Sequence, residues 1–246
     1  IGTPGTYRVE GFTISGANSN TASGDVNSVL YQSGAGLYIY SRVPSTAIDA
    51  TIVDCAFVEN NAAGFGAAMA AASREDNNVV SVTRVAIDRC VIKLNQHGGT
   101  ANAVLNWNKV EGSIRNSIIA SNPTGGVIAR PPDAQRPISL VNVTIANNRD
   151  YGLVTFNGLP VNVSNSILWN NGAGTEANQI TLAGATVNAC TVQNWSGTLG
   201  GTQNNATDPQ FLDLDGPDNL PFTADDDFRL ALTSPMIDAG DNALLP

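Results

Sequence analysis

The nine residues IRNSIIASN (114–122) decide the fold, because five other stretches of the chain repeat their pattern. Each copy has an apolar residue, a small residue three positions later, a large apolar residue two positions after that, and then usually Asn. The other copies are IVDCAFVEN (52–60), IDRCVIKLN (87–95), LVNVTIANN (140–148), VSNSILWNN (163–171) and VNACTVQNW (187–195). A motif that recurs along a chain indicates a repeat architecture, in which each unit packs on the next.

The spacing of the copies indicates short strands joined by corners. The last positions, from Asn60 to Asn171 and then Trp195, follow one another after 35, 27, 26, 23 and 24 residues. The small and large residues lie two apart, as on one face of a strand, whereas the first apolar residue lies three before the small one. A bend between them, often at an Asn such as Asn116, restores the alternation. We therefore predict an all-β fold, a right-handed parallel β-helix (solenoid) of about seven coils.

The repeat also divides the chain. We expect coils over residues 1–207, with 1–49 as degenerate or N-terminal coils, and an irregular acidic segment over 208–246 packed on the solenoid. A β-sandwich would show hairpin turns, and leucine-rich repeats need a Leu-x-x-Leu-x-Leu frame that is absent. The large apolar residues of successive copies are expected to form one interior file: Phe57, Ile92, Ile119, Ile145 and Leu168.

The composition is poor in charge and acidic at one end. Lys and Arg number 12 and Asp and Glu number 21, which gives a net charge of −9. Residues 208–241 hold nine Asp and one base, Arg229, so this segment carries −8 and the remaining 12 acids and 11 bases carry −1. Such acidity argues against nucleic acid as a partner. The sequence has no apolar run of about 18 residues, so we do not predict membrane insertion. Three Cys and one His without a CxxC motif argue against a zinc site.

The coils and the C-terminal residues resemble bacterial right-handed parallel β-helix repeat proteins that are secreted or carried on the cell surface. The C-terminal stretches that carry the resemblance are DPQFLD (208–213), DFRL (227–230) and SPMIDAGD (234–241). The resemblance implies a location that is secreted or at the bacterial cell surface. It implies no single activity, because the fold hosts lyases, hydrolases, esterases, adhesins and structural proteins.

One outward face of the repeat carries almost no charge. On the strand of each copy, the residues before and after the large apolar residue point outward, and among twelve such positions only Lys93 is charged. A strip of this kind is typical of a covered surface, and the cover is the chain's own tail, another copy or a polymer. The residues predicted to make the contact are Val58, Val91, Ile118, Ile167 and Trp169.

The acidic segment is a candidate calcium site. Ca²⁺ takes six to eight oxygen ligands from a flexible segment, and carboxylates that lie close together without a base repel one another unless a cation is present. The alternative is a solvated acidic loop, since the spacing of an EF-hand is missing. The predicted ligands of a structural calcium ion are Asp213, Asp215, Asp218, Asp225, Asp226 and Asp227.

Charged residues near the longest spacing between copies are the candidates for catalysis. A glycosidase needs two carboxylates across a cleft, for which Asp54, Glu59 and Asp88 are available. Asp54 and Arg89 occupy equivalent positions one copy apart and more simply form an exposed ion pair. The pieces available to a lyase are Arg74, Glu75, Asp76, Arg84, Lys93 and His97. The stretch 97–99 resembles the short His/Gly motifs of β-helix pectin-cleaving enzymes, but the Asp clusters that accompany those motifs are missing.

Three further residue sets have a structural and a functional interpretation. The recurring Asn residues, from Asn60 to Asn171, are expected to bond their amides from coil to coil at a corner, or else to form a sugar-binding row. Cys55 and Cys90 occupy the same slot in successive copies, as buried thiols or as a strained disulfide; a third cysteine is expected to be free. The tryptophans are expected to pack in the core or at corners, or to stack on sugars: Trp107, Trp169 and Trp195.

These observations favour a non-enzymatic extracellular protein, structural or adhesive, that uses the charge-poor strip for self-association or for binding another surface protein. The alternative is a β-helix protein that binds or cleaves an acidic polysaccharide, as a lyase or glycoside hydrolase. Calcium is the only cofactor that the sequence predicts.

Overall fold

We describe the protein from a computed structural model. It covers residues 3–19, 33–41, 46–73, 75–76, 79–97, 103–156, 158–181 and 184–245, without the side chains of 75–76 and 79–80. These residues are nearly all β-structure, and the helices among them are one turn, Glu176–Gln179, and a 3₁₀ turn, Asn242–Leu244. The predicted all-β class is confirmed, and the strands form long parallel sheets.

Two parallel sheets have seven strands each, and in both the order across the sheet follows the order along the chain. Each copy of the motif contributes one strand to each sheet. The first sheet consists of Gly5–Glu10, Ala47–Val53, Val82–Asp88, Glu111–Arg115, Ile138–Val141, Val161–Ser164 and Ala185–Asn188. The second sheet consists of Thr13–Ser15, Ala56–Val58, Val91–Lys93, Ile118–Ala120, Thr144–Ala146, Ile167–Trp169 and Thr191–Val192.

A third parallel sheet has five strands, and all but the first of them follow one of the recurring asparagines, which we call the ladder asparagines. Its strands are Leu37–Ser41, Met69–Ser73, Ala103–Asn108, Gly125–Arg130 and Leu153–Thr155. The short pairs are Asn61–Ala62 with Gln96–His97, which is parallel, and Glu75–Asp76 with Val79–Val80 and Phe211–Asp213 with Asp227–Leu230, which are antiparallel. The last parallel bridge joins Thr191 to Asn205. The predicted boundary at 207/208 stays a prediction.

The interior file predicted from the repeat is confirmed. Phe57 pairs in register with Ile92, and the pairing continues residue by residue to Leu168 and Val192. Every member of this file from Phe57 onward is at most 1% exposed. The weak copy near the N-terminus joins the same register, because Ile14 pairs with Phe57. Burial of one large apolar side chain in each repeat therefore builds a continuous hydrophobic core.

Each copy of the motif turns at two residues with left-handed backbone. The third position of the six copies has φ between 49° and 56°, at Asp54, Arg89, Asn116, Asn142, Asn165 and Ala189. The eighth position has φ between 49° and 59°, at Glu59, Leu94, Ser121, Asn147, Asn170 and Asn194. The bend predicted between the first apolar and the small residue is therefore present. The second bend lies one residue before the ladder Asn, so the ladder Asn is not the left-handed residue.

The ladder asparagines form a continuous chain of hydrogen bonds in the interior. All five are at most 1% exposed: Asn60, Asn95, Asn122, Asn148 and Asn171. Each amide nitrogen donates to the amide oxygen of the next asparagine, over 2.9, 3.2, 2.8 and 2.9 Å. The last amide nitrogen, of Asn171, donates to Gln179 Oε1 at 2.8 Å. This inward position supports the structural interpretation, because a buried amide row has no surface for a sugar.

Trp107 belongs to the core, so the interpretation of this residue as a sugar platform is wrong. It is fully buried, and its partners on the two neighbouring strands of the third sheet are Ala71 and Ala129. Two small neighbours leave the volume that one indole ring needs in a close-packed interior. The other two tryptophans are half-buried, and Trp195 packs against the core.

The three cysteines are free thiols, all buried. Cys55 and Cys90 occupy the slot that the repeat predicts, and burial raises the pKa of Cys90 to about 11. Burial likewise raises the pKa of Cys190 to about 12. Thiols with a raised pKa are poor nucleophiles, which supports their interpretation as small core residues.

Candidate functional site

The charge-poor strip is the surface on which the C-terminal segment packs. We call outer strip the outward positions of the second sheet, and C-terminal segment residues 208–246. At the corner that follows the outer strip, the Ser121 hydroxyl donates to the Asp226 carboxylate. One coil further on, Asn147 Nδ2 donates to the backbone oxygen of Leu214 at 3.1 Å. These bonds attach the segment along one edge of the strip.

The opposite edge of the outer strip is attached by the last residues of the same segment. Asn165 Nδ2 donates to the backbone oxygen of Asp241 at 3.0 Å, and the Asp241 N–H donates to Asn165 Oδ1 at 2.8 Å. On the strip itself, the Thr191 hydroxyl donates to the sulfur of Met236. The C-terminal segment therefore crosses the outer strip from one corner to the other. Of the three covers that the sequence leaves open, the chain's own tail is present over this part.

The covering is incomplete toward the first coils. Ala120 and Ala146 in the outer strip are fully buried, whereas Val91 is 38% exposed. Lys93, the one charged strip residue, donates from Nζ to the backbone oxygen of Ala224 at 2.8 Å. The other residues predicted to bind are half-buried: Val58, Ile118, Ile167 and Trp169. Their role in binding a separate partner stays a prediction.

Asp226 and Asp227, two of the six predicted calcium ligands, serve other contacts, and Asp218 and Asp225 also accept hydrogen bonds, from the Leu220 N–H at 2.9 Å and from Thr223 Oγ1 at 2.7 Å. Asp226 is only 8% exposed, and its carboxylate accepts from the Ser121 hydroxyl and from Thr223 Oγ1, the latter at 3.0 Å. Asp227 accepts from Arg229 Nη2 at 2.6 Å, and this hydrogen bond lowers the pKa of Asp227. Donors that already occupy a carboxylate leave fewer lone pairs for a cation.

The other four predicted ligands lie around a turn at Gly216: Asp213, Asp215, Asp218 and Asp225. Gly216 has φ +64°, and a Cβ there would lie 2.8 Å from Asp225 Cγ, so the carboxylate comes close because the turn has no side chain. Reduced hydration, together with the hydrogen bond and charge of Asp215, raises the pKa of Asp213. Among the residues that the structure describes, no three His, Cys, Asp or Glu side chains are grouped to hold a metal ion. The calcium site stays a prediction.

The charged residues on the first corner form ion pairs. Arg89 Nε lies 2.7 Å from Asp54 Oδ1, and Arg89 also contacts Asp88. The hydrogen bond from Arg89 lowers the pKa of Asp54. On the outer face of the first sheet, Arg84 Nη1 lies 3.1 Å from Asp49 Oδ1. The ion pair predicted between Asp54 and Arg89 is confirmed, and two of the carboxylates considered for a glycosidase are held by this one guanidinium.

The remaining catalytic candidates are not brought together in the described part of the chain. Glu59 is an exposed corner residue, and His97 ends the short strand Gln96–His97. Lys93 contacts the C-terminal segment as described above. The rest lie outside the described residues: Arg74, the side chains of Glu75 and Asp76, and the glycines 98 and 99.

A cleft on the outer face of the third sheet is not predicted from the sequence. The outward residues of this sheet form two columns in register. The first column is Tyr38, Ala70, Asn106, Ile128 and Val154, and the second is Tyr40, Ala72, Asn108 and Arg130. A cavity of about 90 Å³ lies over part of these columns, and its lining is Tyr38, Ala70, Ala72, Asn106, Asn108 and Arg130 together with Ser33, Phe65 and Ala71. The number of residues between each ladder Asn and the strand that follows it varies, and these strands share no sequence motif. The columns are therefore recognised only from the register of the strands in the structure.

Comparison with protein-family models, with curated proteins and with solved structures finds no match to this chain. Among the described residues, no helix has the length and apolar character needed to cross a membrane.

Proposed function

We propose that the chain is a structural or adhesive element of the bacterial cell surface, built as a right-handed parallel β-helix of about seven coils. The two seven-stranded sheets, whose strands follow the chain order, support this winding. The resemblance of residues 208–241 to the closing segment of secreted β-helix proteins supports the location. Stacked coils present long faces, which suit attachment to another surface.

The observation that carries this proposal is the division of the outer strip. One part buries against the C-terminal segment, with Ala120 fully enclosed, while Val91 on the neighbouring strand stays 38% exposed. The covered part demonstrates that such a surface packs against polypeptide. The uncovered part has the same small and β-branched character, at Thr13, Ala56 and Val58, so it is suited to a further polypeptide surface.

We take the partner to be a second copy of the chain. Two uncovered strips can face each other without charge repulsion, because the one charged strip residue, Lys93, is engaged by the C-terminal segment.

Sedimentation velocity over a wide range of concentrations tests this proposal. The wild-type protein is expected to dimerise reversibly, and Val91→Asp to weaken the dimer by about tenfold or more, because a charge is then buried at the contact. Val91→Lys is expected to act in the same direction, which assigns the effect to lost apolar contact. The matched control is Leu232→Asp, since Leu232 is 98% exposed on the C-terminal segment.

Circular dichroism establishes that each variant is folded. A wild-type protein that stays monomeric at every concentration would contradict the proposal. So would a dimer that tolerates both Val91 substitutions, because the contact would then lie elsewhere.

Calcium belongs to this proposal as a brace for the C-terminal segment. Reduced hydration raises the pKa of Asp213, and so do the hydrogen bond and charge of Asp215 and the charge of Asp225. A divalent cation bound there would relieve this repulsion and hold the turn against the solenoid.

A further inference from the structure

The cleft over the third sheet has a floor of small residues between two different walls. Ala70 and Ala72 form the floor, and the stacked rings of Tyr38 and Tyr40, 6.0 Å apart between centroids, stand on the strand at one side. On the other side of the floor lies the strand that carries Asn106 and Asn108. The two walls stand on the strands on either side of the floor strand. Since neighbouring parallel strands lie about 4.8 Å apart, the two wall strands are separated by roughly 10 Å. A six-membered ring fits a hollow of this width.

The amide of Asn106 is the first sign that the cleft takes a ligand. Asn106 is only 4% exposed, and it faces outward because its neighbours Leu105 and Trp107 belong to the core. Its Nδ2 is buried and has no hydrogen-bond partner among the described residues. A buried donor left unsatisfied costs free energy. An acceptor atom of a ligand in the cleft would satisfy it.

Arg130 supplies positive charge at the same wall. It lies in register with Asn108, two strands beyond the floor, and its guanidinium packs over the Phe156 ring, 4.1 Å from the centroid. Burial lowers the pKa of Arg130. Among the residues that the structure describes, no carboxylate forms an ion pair with it. A partly desolvated guanidinium without a carboxylate attracts an anion.

We infer that this cleft is a binding site for a ring that bears a carboxylate. The ring lies on the alanine floor against Tyr38, Asn106 Nδ2 donates to a ring substituent or to the carboxylate, and Arg130 pairs with the carboxylate. Two sources share this chemistry, the uronic acid unit of an acidic glycan and an aromatic acid. The site goes beyond the proposed structural role, because it lies on the third sheet and not on the outer strip. Binding involves no covalent step.

Isothermal titration calorimetry with three probes tests the site. Glucuronate carries a carboxylate on a saturated ring, benzoate carries one on an aromatic ring, and glucose has the ring of glucuronate without the charge. We expect one or both carboxylates to bind with a dissociation constant of about 1 mM, as for other small ligands. Glucose is expected to bind at least tenfold more weakly than glucuronate if the glycan is the source. If benzoate binds and glucuronate does not, the aromatic acid is the source.

Two variants and one control connect the binding to the cleft. Arg130→Gln is expected to weaken carboxylate binding about tenfold or more, because the charge-assisted hydrogen bond is lost. Asn106→Leu is expected to weaken it severalfold while the melting temperature stays the same or rises, since the substitution removes an unsatisfied buried donor. A purely structural role of Asn106 would not separate binding from stability in this way. Arg136→Gln, in a loop where Arg136 pairs with Asp133 at 2.5 Å, is the matched control and is expected to bind normally.

Each result decides the inference. Binding of a carboxylate that Arg130→Gln and Asn106→Leu weaken and Arg136→Gln leaves intact supports it. Failure of both carboxylates to bind the wild-type protein overturns it, and so does binding that both cleft variants retain. Equal affinity for glucose and the tighter carboxylate also overturns it, because Arg130 then contributes nothing.

Discussion

The ninth and the eighth position of the copies that end in Asn have different roles, hydrogen bonding along the ladder and turning the backbone. Asn122 points inward and bonds along the ladder, while Ser121 directly before it holds the left-handed φ of 49°. Left-handed backbone normally favours Asn or Gly, yet Leu94 adopts it one coil earlier with φ 59°. The backbone bond from Leu94 N–H to Ser121 O, at 3.2 Å, helps to hold that conformation. The register of neighbouring coils thus overrides local preference at this corner.

Replacing a central ladder residue tests the first role. In Asn122→Ala, the interior loses bonds to Asn148 Oδ1 and to two backbone oxygens, at 2.8, 3.1 and 3.0 Å. We expect the free energy of unfolding to fall by about 3 kcal/mol or more, because several buried groups lose their partners. Chemical denaturation measures the change. Asn242→Ala at an exposed position is the control, with an expected change within about 0.5 kcal/mol; a loss below about 1 kcal/mol for Asn122→Ala would show that the ladder does not stabilise the fold.

The ion pair of Asp54 and Arg89 predicts a dependence on pH. The hydrogen bond from Arg89 lowers the pKa of Asp54 in the folded state, so the pair stabilises the fold above the ordinary aspartate pKa and ceases to do so as pH falls through the lowered value. Asp54→Asn should therefore lower the melting temperature slightly at pH 7 and have no effect well below the aspartate range. In an Arg89→Gln background the same substitution should have no pH-dependent effect. An equal effect at both pH values would contradict the role of this pair.

At the scale of the element, periodicity predicts the residue-by-residue register of the second sheet and not that of the third. The alternation around Phe57 and Ile119 repeats in every copy, so the buried file and the outer strip follow from the sequence alone. The strand that holds Asn106 shares no sequence motif with the other strands of its sheet. Its pairing with those strands is therefore known only from the structure. The contact of Ser121 with Asp226 likewise joins residues 105 positions apart. No local pattern in the sequence specifies such a polar contact.

Removal of the Asp226 carboxylate tests how the C-terminal segment is held. This carboxylate accepts from the Ser121 hydroxyl, from the Phe222 N–H and from Thr223 Oγ1 in a site that is 8% exposed. We expect Asp226→Ala to cost about 2–3 kcal/mol, a value typical of hydrogen bonds to a charged group. Hydrogen exchange should rise within 208–245 while the three parallel sheets stay protected. The exposed Asp150→Ala is the control, and unchanged exchange in the segment would argue against this anchor.

Chelation tests the predicted calcium ion. Asp213 has a raised pKa in the folded state, so its ionised form opposes folding at neutral pH; this penalty declines as pH falls through the folded pKa and is absent below the ordinary aspartate pKa. A cation bound at the turn relieves the same penalty at neutral pH. We expect Ca²⁺ to raise the melting temperature relative to excess EGTA. Asp213→Asn with Asp215→Asn should abolish that difference; identical melting in both conditions for the wild-type protein would show that calcium does not bind.

At the scale of the whole molecule, the outer strip and the cleft lie on different sheets. The C-terminal segment covers the strip between the corners at Ser121 and Asn165, and the cleft lies over Ala70 and Ala72 on the third sheet. A partner on one face therefore leaves the other face accessible. The proposed association through the second sheet and the proposed binding of an anionic ring through the third are therefore compatible with each other.

Distances between spin labels on the first sheet test the central claim, that each repeat adds the next strand to the same parallel sheet. Thr51, Asn162 and Thr186 lie in one outward column, with four strand spacings from Thr51 to Asn162 and five to Thr186. After the three buried cysteines are replaced by Ala, label pairs at 51/162 and 51/186 should be separated by about 19 and 24 Å, apart from the label linkers. An increase of one spacing between the two pairs is the predicted result. Equal separations, or a shorter one for the 51/186 pair, would contradict the stacked repeat.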